Sequence, residues 1–163
     1  MAGSDRMEIR KTDPGLSALR PLIEGNQSHG AAATSSESDH TFGVEDLRQP
    51  GVQFYAAFEA GIAQGCGAFK ALSDGTAEVK SVFVCENARG RGLAHRLMEH
   101  LAREAAGAGF SALVLETGSE LCPQYDAARA LYERLGYAYC PPIEGYTEDP
   151  MSVFMRLPLI SEG

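Results

Sequence analysis

Residues 78–95 read Glu78-Val79-Lys80-Ser81-Val82-Phe83-Val84-Cys85-Glu86-Asn87-Ala88-Arg89-Gly90-Arg91-Gly92-Leu93-Ala94-His95. The stretch through Val84 is rich in β-branched residues and is expected to be a strand. By period-two alternation Glu78, Lys80, Val82 and Val84 share one face of it, barring a bulge. After Gly92, the residues Leu93, Leu97, Met98, Leu101 and Ala105 recur at helical spacing, an amphipathic helix ending near Gly107 and Gly109. Between strand and helix lies a turn with two glycines and two arginines. Glycine lets a backbone approach a ligand closely, and the first turn of a helix offers unpaired N–H groups. With the helix dipole and the charges of Arg89, Arg91 and Arg96, the turn reads as an anion site, with a phosphate-bearing ligand as the inference. Taken alone, RGRG fits a tight, solvated turn equally well. A dinucleotide GxGxxG would need glycine where His95 stands, and no Gly-Lys-Ser/Thr follows for a nucleotide P-loop.

Working outward, Val52 to Phe58 and Ile62 to Leu72 are strand candidates joined by a turn at Glu59 to Gly61. The Asp74-Gly75 pair in Ser73 to Thr76 marks a hairpin turn into the Glu78 strand. Ala112 to Leu115 is a short apolar run suited to a strand covered on both faces. Ala127, Ala128, Leu131 and Leu135 form a second helical stripe, stopped by Gly136. Tyr137 to Cys140 and Ser152 to Leu157 close the chain as strands, and Glu8 to Thr12 opens it. Asn26 to Gly43 is small and polar, expected to be a long loop or weak helices. The order β, helical region, β-meander, α, β, α, β-hairpin is an α+β arrangement with a mixed sheet.

The chain has 163 residues, enough for one domain with its own core, expected over residues 7–163 after a loose tail of Met1 to Arg6. Its formal charge of −8 argues against a general nucleic-acid binder. No apolar run reaches the ~20 residues of a membrane span, and Met1 to Arg10 lacks a signal-peptide core, so cytoplasm is the expected place. Cys66, Cys85, Cys122 and Cys140 form no CxxC pair. None stands at metal-ligand spacing from His29, His40, His95 or His100, so reduced thiols and no metal are expected.

The turn resembles the acetyl-CoA signature of the GNAT superfamily of N-acetyltransferases, Arg/Gln-x-x-Gly-x-Gly/Ala, here Arg89, Gly92 and Ala94. The resemblance runs over roughly Val52 to Leu157 and includes the strand AEVKSVFV and the later LYERLGY. It implies a GNAT fold: a twisted mixed sheet, flanked by helices, whose central strand pair splays to admit acetyl-CoA. It further implies that Arg89, Gly90, Arg91, Gly92, Leu93, Ala94 and His95 hold the pyrophosphate. Val82, Phe83 and Val84 then hold the pantetheine arm through their main chain. Glu78, eleven residues before Arg89, matches a glutamate often proposed as base, directly or through water. Its bland alternative is a solvent-facing charge paired with Lys80. Tyr132 matches the tyrosine placed near the cofactor sulfur as general acid, the alternative being a core aromatic. Tyr125 stands where the family often has a cofactor-contacting asparagine, so that contact is not carried over. Glu116, Thr117, Tyr146 and Asp149 are weaker candidates for the acceptor side. The implied reaction is direct acetyl transfer to a primary amine, small molecule or peptide, in a ternary complex; homodimers are common in the family. The rival readings are a non-catalytic acyl-CoA-binding or sensor domain and a nucleotide-binding enzyme.

Overall fold

The computed structural model describes residues 7–16, 19–20, 44–85, 88–90 and 92–159. The expectations for Met1 to Arg6, for Asn26 to Gly43 and for Arg91 lie outside the described residues. The strands are β1 (Met7–Lys11), β2 (Val52–Glu59), β3 (Ile62–Ala71), β4 (Ala77–Val84), β5 (Ala112–Gly118), β6 (Ala138–Cys140) and β7 (Ser152–Pro158). The helices are α1 (Val44–Leu47), α2 (Leu93–Gly107) and α3 (Asp126–Arg134). The strands form one seven-stranded sheet in the order β1-β2-β3-β4-β5-β7-β6. All neighbours are antiparallel except β4 and β5, which run parallel with α2 as their crossover.

The meander follows from its turns. Ala60 and Gly61 both take positive φ, 52° and 80°, which closes a tight hairpin between β2 and β3. At the next turn the Asp74 carboxylate accepts from both the Thr76 N–H (3.1 Å) and hydroxyl (2.6 Å), with Gly75 at φ 87°.

Helix α2 buries Leu93, Leu97, Met98, Leu101 and Ala105 against the sheet. It comes so close because β3 carries Gly65 and Gly67 beneath it. A Cβ on Gly65 would stand 3.1 Å from Leu97 Cδ1, and one on Gly67 3.3 Å from Leu101 Cδ1. Helix α3 lies on the same face, with Leu131, Tyr132 and Leu135 packed on the cluster of Leu101, Leu113, Leu115 and Met155. One sequence expectation is corrected in α3. Ala127 is exposed rather than part of the buried stripe; Tyr132, partly buried, packs on the same side as Leu131 and Leu135. A helix this short buries only the half nearest the sheet, and that half is set by the Leu131–Leu135 side.

A second correction concerns β4. Cys66 pairs with Phe83 but Ala68 pairs with Lys80, so β4 holds one residue more than β3 across this span. The bulge reverses the alternation. Val79, before it, and Val82, after it, both pack toward α2, whereas Phe83 joins the opposite cluster of Phe54, Phe58 and Cys66. Glu78 and Lys80 therefore do not share a face with Val82 and Val84; they share it with Phe83.

The β4–β5 pairing is confined to Ala77↔Leu113 and Glu78↔Val114. Beyond those two rungs β4 continues to Val84 and β5 to Gly118 as a diverging pair. The split opens toward the glycine turn and the start of α2. All four cysteines are free thiols, Cys66 and Cys122 buried, Cys85 and Cys140 half-buried.

Candidate active site

The turn between β4 and α2 is shaped for close approach. Gly90 (φ 80°) and Gly92 (φ 77°) are both left-handed, and among the described residues, chain neighbours aside, no atom lies within 4 Å of where a Cβ would sit at either. Gly92 is the N-cap and makes no side-chain capping bond, so the first N–H groups of α2 have no partner from their own helix. Leu93 anchors this end by burying its side chain with Ala57, Val84, Ala88 and Leu97. Arg89 behaves differently from a free phosphate ligand: its Nε donates to the Val84 carbonyl at 3.0 Å, and its guanidinium lies 5.4 Å from the Phe83 ring centre. Ala94 is half-buried. His95 points to solvent, 3.5 Å from Glu99 on the next turn. Open glycines, an uncapped helix start and a strand parted from its neighbour fit a long, phosphate-bearing acyl donor. The main chain of Val82, Phe83 and Val84 lines the split.

On the sheet face opposite α2 lies a compact polar cluster. Glu78 and Lys80 are only 4% and 9% exposed, so neither is the solvent-facing edge charge the sequence allows. Their side chains meet at 3.1 Å through Glu78 Oε2. Tyr146 completes the group: its hydroxyl donates to the same Oε2 at 2.5 Å and accepts from Lys80 Nζ at 2.7 Å. Burial, then the Glu78 charge and hydrogen bond, push the Tyr146 phenol well above its ordinary value, so it keeps its proton. Tyr146 rides on the loop between β6 and β7. Glu144 in that loop accepts from the Ser73 N–H (3.0 Å) and hydroxyl (2.6 Å), tying the loop to the β3–β4 turn. The Tyr146 ring meets Phe154 edge-on at 5.5 Å. Glu116, on the same face of β5, accepts from the Ser152 hydroxyl. An open cleft of about 590 Å³ lies alongside, lined by Tyr139, Cys140, Pro142, Asp149, Ser152 and Phe154. Asp149 turns inward on its own loop, accepting from the Met151 N–H at 2.9 Å.

Tyr132 sits on the other face, in α3, 5.8 Å from the Tyr137 ring. Burial, with Tyr125 adding to it, pushes its phenol up to about 12, so it too holds its proton. Tyr125 packs over Gly118 at the end of β5, where any Cβ would stand 2.3 Å from its ring. Thr117, a weaker candidate, is buried at 6% exposure.

The sequence had flagged Tyr146 only weakly and Lys80 only as a neutralising neighbour. Lys80 and Tyr146 lie 66 positions apart, and no local pattern could have joined them.

The family model of the Acetyltransferase (GNAT) family matches residues 22–137. The chain belongs to the GNAT acetyltransferase family. It is 38% identical over 153 residues to the IAA acetyltransferase of Azospirillum brasilense, covering 93% of this chain and 97% of that protein. It is 41% identical over 119 residues to YsnE, an uncharacterized N-acetyltransferase of Bacillus subtilis (strain 168), covering 73% and 78%. A solved structure from Klebsiella pneumoniae subsp. pneumoniae, provisionally assigned as an acyl-CoA N-acyltransferase, superposes with a TM-score of 0.78 at 29% identity. It covers 94% of this chain and 98% of that one. The sheet with its parted central strands is thus the GNAT fold, and this GNAT protein is an acyltransferase that works from an acyl-CoA donor. No helix among the described residues is long and apolar enough to cross a membrane.

Proposed function

We propose that this GNAT enzyme transfers the acetyl group of acetyl-CoA to a primary amine by direct attack in a ternary complex. Residues 7–163 would act as one catalytic domain behind a short tail, at work in the cytoplasm. The single observation that carries the reading is Glu78: a buried carboxylate met by the Lys80 ammonium and the Tyr146 hydroxyl, in the last rung before β4 and β5 part. In the proposed site the amides at the start of α2, from Gly92 through His95, hold the donor's pyrophosphate. The main chain of Val82 to Val84 holds its arm. Acetyl-CoA supplies an activated thioester carbonyl when bound.

Glu78 takes a proton from the acceptor ammonium, whose ordinary value near 10 keeps it charged at neutral pH. Main-chain N–H groups near Val84 stabilise the oxyanion. Cys85 is excluded from that role because its N–H is committed to the Gln64 carbonyl at 2.9 Å. Tyr132, neutral through the physiological range, returns a proton to the departing thiolate. The two groups stand on opposite faces of the sheet, with the split between them, which suits removal of a proton on one side and delivery on the other.

The acceptor belongs in the cleft beside Tyr146 and Phe154. Since one relative is named for IAA, that compound joins polyamines, amino acids and basic peptides in the test panel. CoA release is followed while both substrates are varied. Acceptor-dependent release with intersecting double-reciprocal lines supports the reading. Parallel lines would move the chemistry to a covalent acyl-enzyme, and acyl-CoA binding without turnover on any acceptor would favour the sensor alternative.

A further inference from the structure

We propose that Lys80 and Tyr146 are positioning residues that hold Glu78 through one oxygen, Oε2, and reserve Oε1 as the atom that receives the acceptor's proton. The inference rests on the reading of Glu78 as base.

Three contacts close a small ring: Tyr146 O–H to Glu78 Oε2 (2.5 Å), Lys80 Nζ to the same Oε2 (3.1 Å), and Lys80 Nζ to Tyr146 Oη (2.7 Å). Both donors to the carboxylate converge on a single oxygen. Among the described residues no hydrogen bond reaches Oε1. The contacts of the Glu78 carboxylate among those residues thus all fall on Oε2. Two groups on one oxygen restrain the carboxylate and leave the other oxygen without a competing contact from them. A buried carboxylate without such donors takes up a proton and ceases to be a base. The donors are themselves held. The Lys80 ammonium lies 5.4 Å from the centre of the Tyr146 ring, Phe154 abuts that ring, and Glu144 ties the Tyr146 loop to Ser73.

Other charged groups of this face surround the ring. Lys70 pairs with Glu78 across β3, Arg156 pairs with Val114, the β5 partner of Glu78, and Glu116 follows two residues along β5. They stay in place when Lys80 or Tyr146 is changed, so a change in pH response reports the deleted contact. In the step itself an acceptor N–H bond breaks, its electron pair stays on nitrogen, and the proton bonds to Oε1. The neutral amine then attacks the donor carbonyl.

The test compares pH profiles of kcat/KM for the best acceptor, at saturating acetyl-CoA, in the wild type, Tyr146→Phe, Lys80→Met, Lys80→Arg and Glu78→Gln. Loss of a donor favours the protonated carboxyl, so the acid limb should move to higher pH. The expected move is about one unit or more for Lys80→Met, where a full charge is lost. It should be smaller and in the same direction for Tyr146→Phe, with Lys80→Arg returning toward the wild-type limb. The KM for acetyl-CoA should stay put. A purely structural pair would lower the melting temperature or the height of the profile and leave the limb in place. Should Lys80→Met fail to fold, Tyr146→Phe, which removes one hydroxyl, decides alone. An unmoved limb in the folded variants, with Glu78→Gln inactive, overturns the positioning role and leaves the base standing. A Glu78→Gln profile that keeps the wild-type acid limb removes the base, and this inference with it.

Discussion

Glu78 is only 4% exposed, and the Tyr146 hydroxyl and the Lys80 ammonium both meet its Oε2, an arrangement that governs what each substitution does. Glu78→Gln keeps the volume but leaves the Lys80 ammonium buried without its counter-charge. Breaking one side of such a pair typically costs about 3–5 kcal/mol. The variant should therefore melt lower as well as turn over slower, by roughly 10²–10⁴-fold near neutral pH. Turnover should partly recover at alkaline pH, where free amine is present without a base; a profile with wild-type height and shape would remove Glu78 from the chemistry. Tyr132→Phe is the cleaner probe. Among the described residues no hydrogen bond engages the Tyr132 hydroxyl, so its loss leaves no buried partner unpaired. Melting should hardly move and acetyl-CoA should still bind, while turnover falls by about 10²–10⁴-fold if Tyr132 is the proton donor. Unchanged turnover, measured where chemistry limits the rate, would make Tyr132 a core tyrosine.

The turn from β4 into α2 combines two demands that a single substitution separates. Gly92 meets no described residue other than its chain neighbours but has a φ of 77°, so the objection to a side chain is conformational as well as steric toward a ligand. Gly92→Ala should cost about 1–2 kcal/mol of local strain and weaken acetyl-CoA binding. Gly92→Val, β-branched, should abolish binding and also loosen the turn. Arg89→Ala should do more than remove a charge, since the Nε bond to the Val84 carbonyl at 3.0 Å goes with it. Calorimetric titration with acetyl-CoA on the folded variants checks the ranking; normal binding by Gly92→Val would mean the pyrophosphate is held elsewhere. Deeper in the same helix, Leu101 is fully buried, and Leu101→Ala should cost about 2–5 kcal/mol by urea melts without changing the site.

For the molecule as a whole, the donor should bind the folded state and raise its melting temperature. At 100 times its dissociation constant the gain is about 2.7 kcal/mol. A folded sample that shows no thermal shift would contradict acyl-donor binding. A second global response is set by buried acids. Tyr55, Tyr132 and the Cys66 thiol are each pushed up to about 12, in every case chiefly by burial. A raised value means that the folded state holds protons the unfolded chain releases. Their contribution is intact below the unfolded tyrosine and thiol values of 10.0 and 9.0, and drains away as pH rises toward 12. Tyrosinate absorbance should thus appear together with loss of helix signal in an alkaline titration. Separate transitions, with these phenols ionising in an intact fold, would contradict their burial.

What the sequence alone determined is what short-range chemistry can carry. Strand β4, the glycine turn and the apolar stripe of α2 were legible because each is a local pattern with one good physical solution: β-branched residues, left-handed glycines, leucines at helical spacing. Glu78 and Tyr132 could be named as candidates only through the resemblance to the GNAT superfamily, which matches their positions relative to those patterns. Only the tertiary structure decided the rest. An extra residue in β4 opposite Gly67 turned Val82 away from the Glu78 face, and no composition rule marks where a ladder slips. Helix α3 packed Tyr132, partly buried, against the core and exposed Ala127 because the sheet beneath it chose the side. The partnership of Glu78, Lys80 and Tyr146 exists because β7 inserts between β5 and β6, and because Glu144 ties the β6–β7 loop to the β3–β4 turn. Whether the Glu78–Lys80 pair is a screened surface charge or a buried, directed carboxylate depends on burial, which arises only when distant segments close over it.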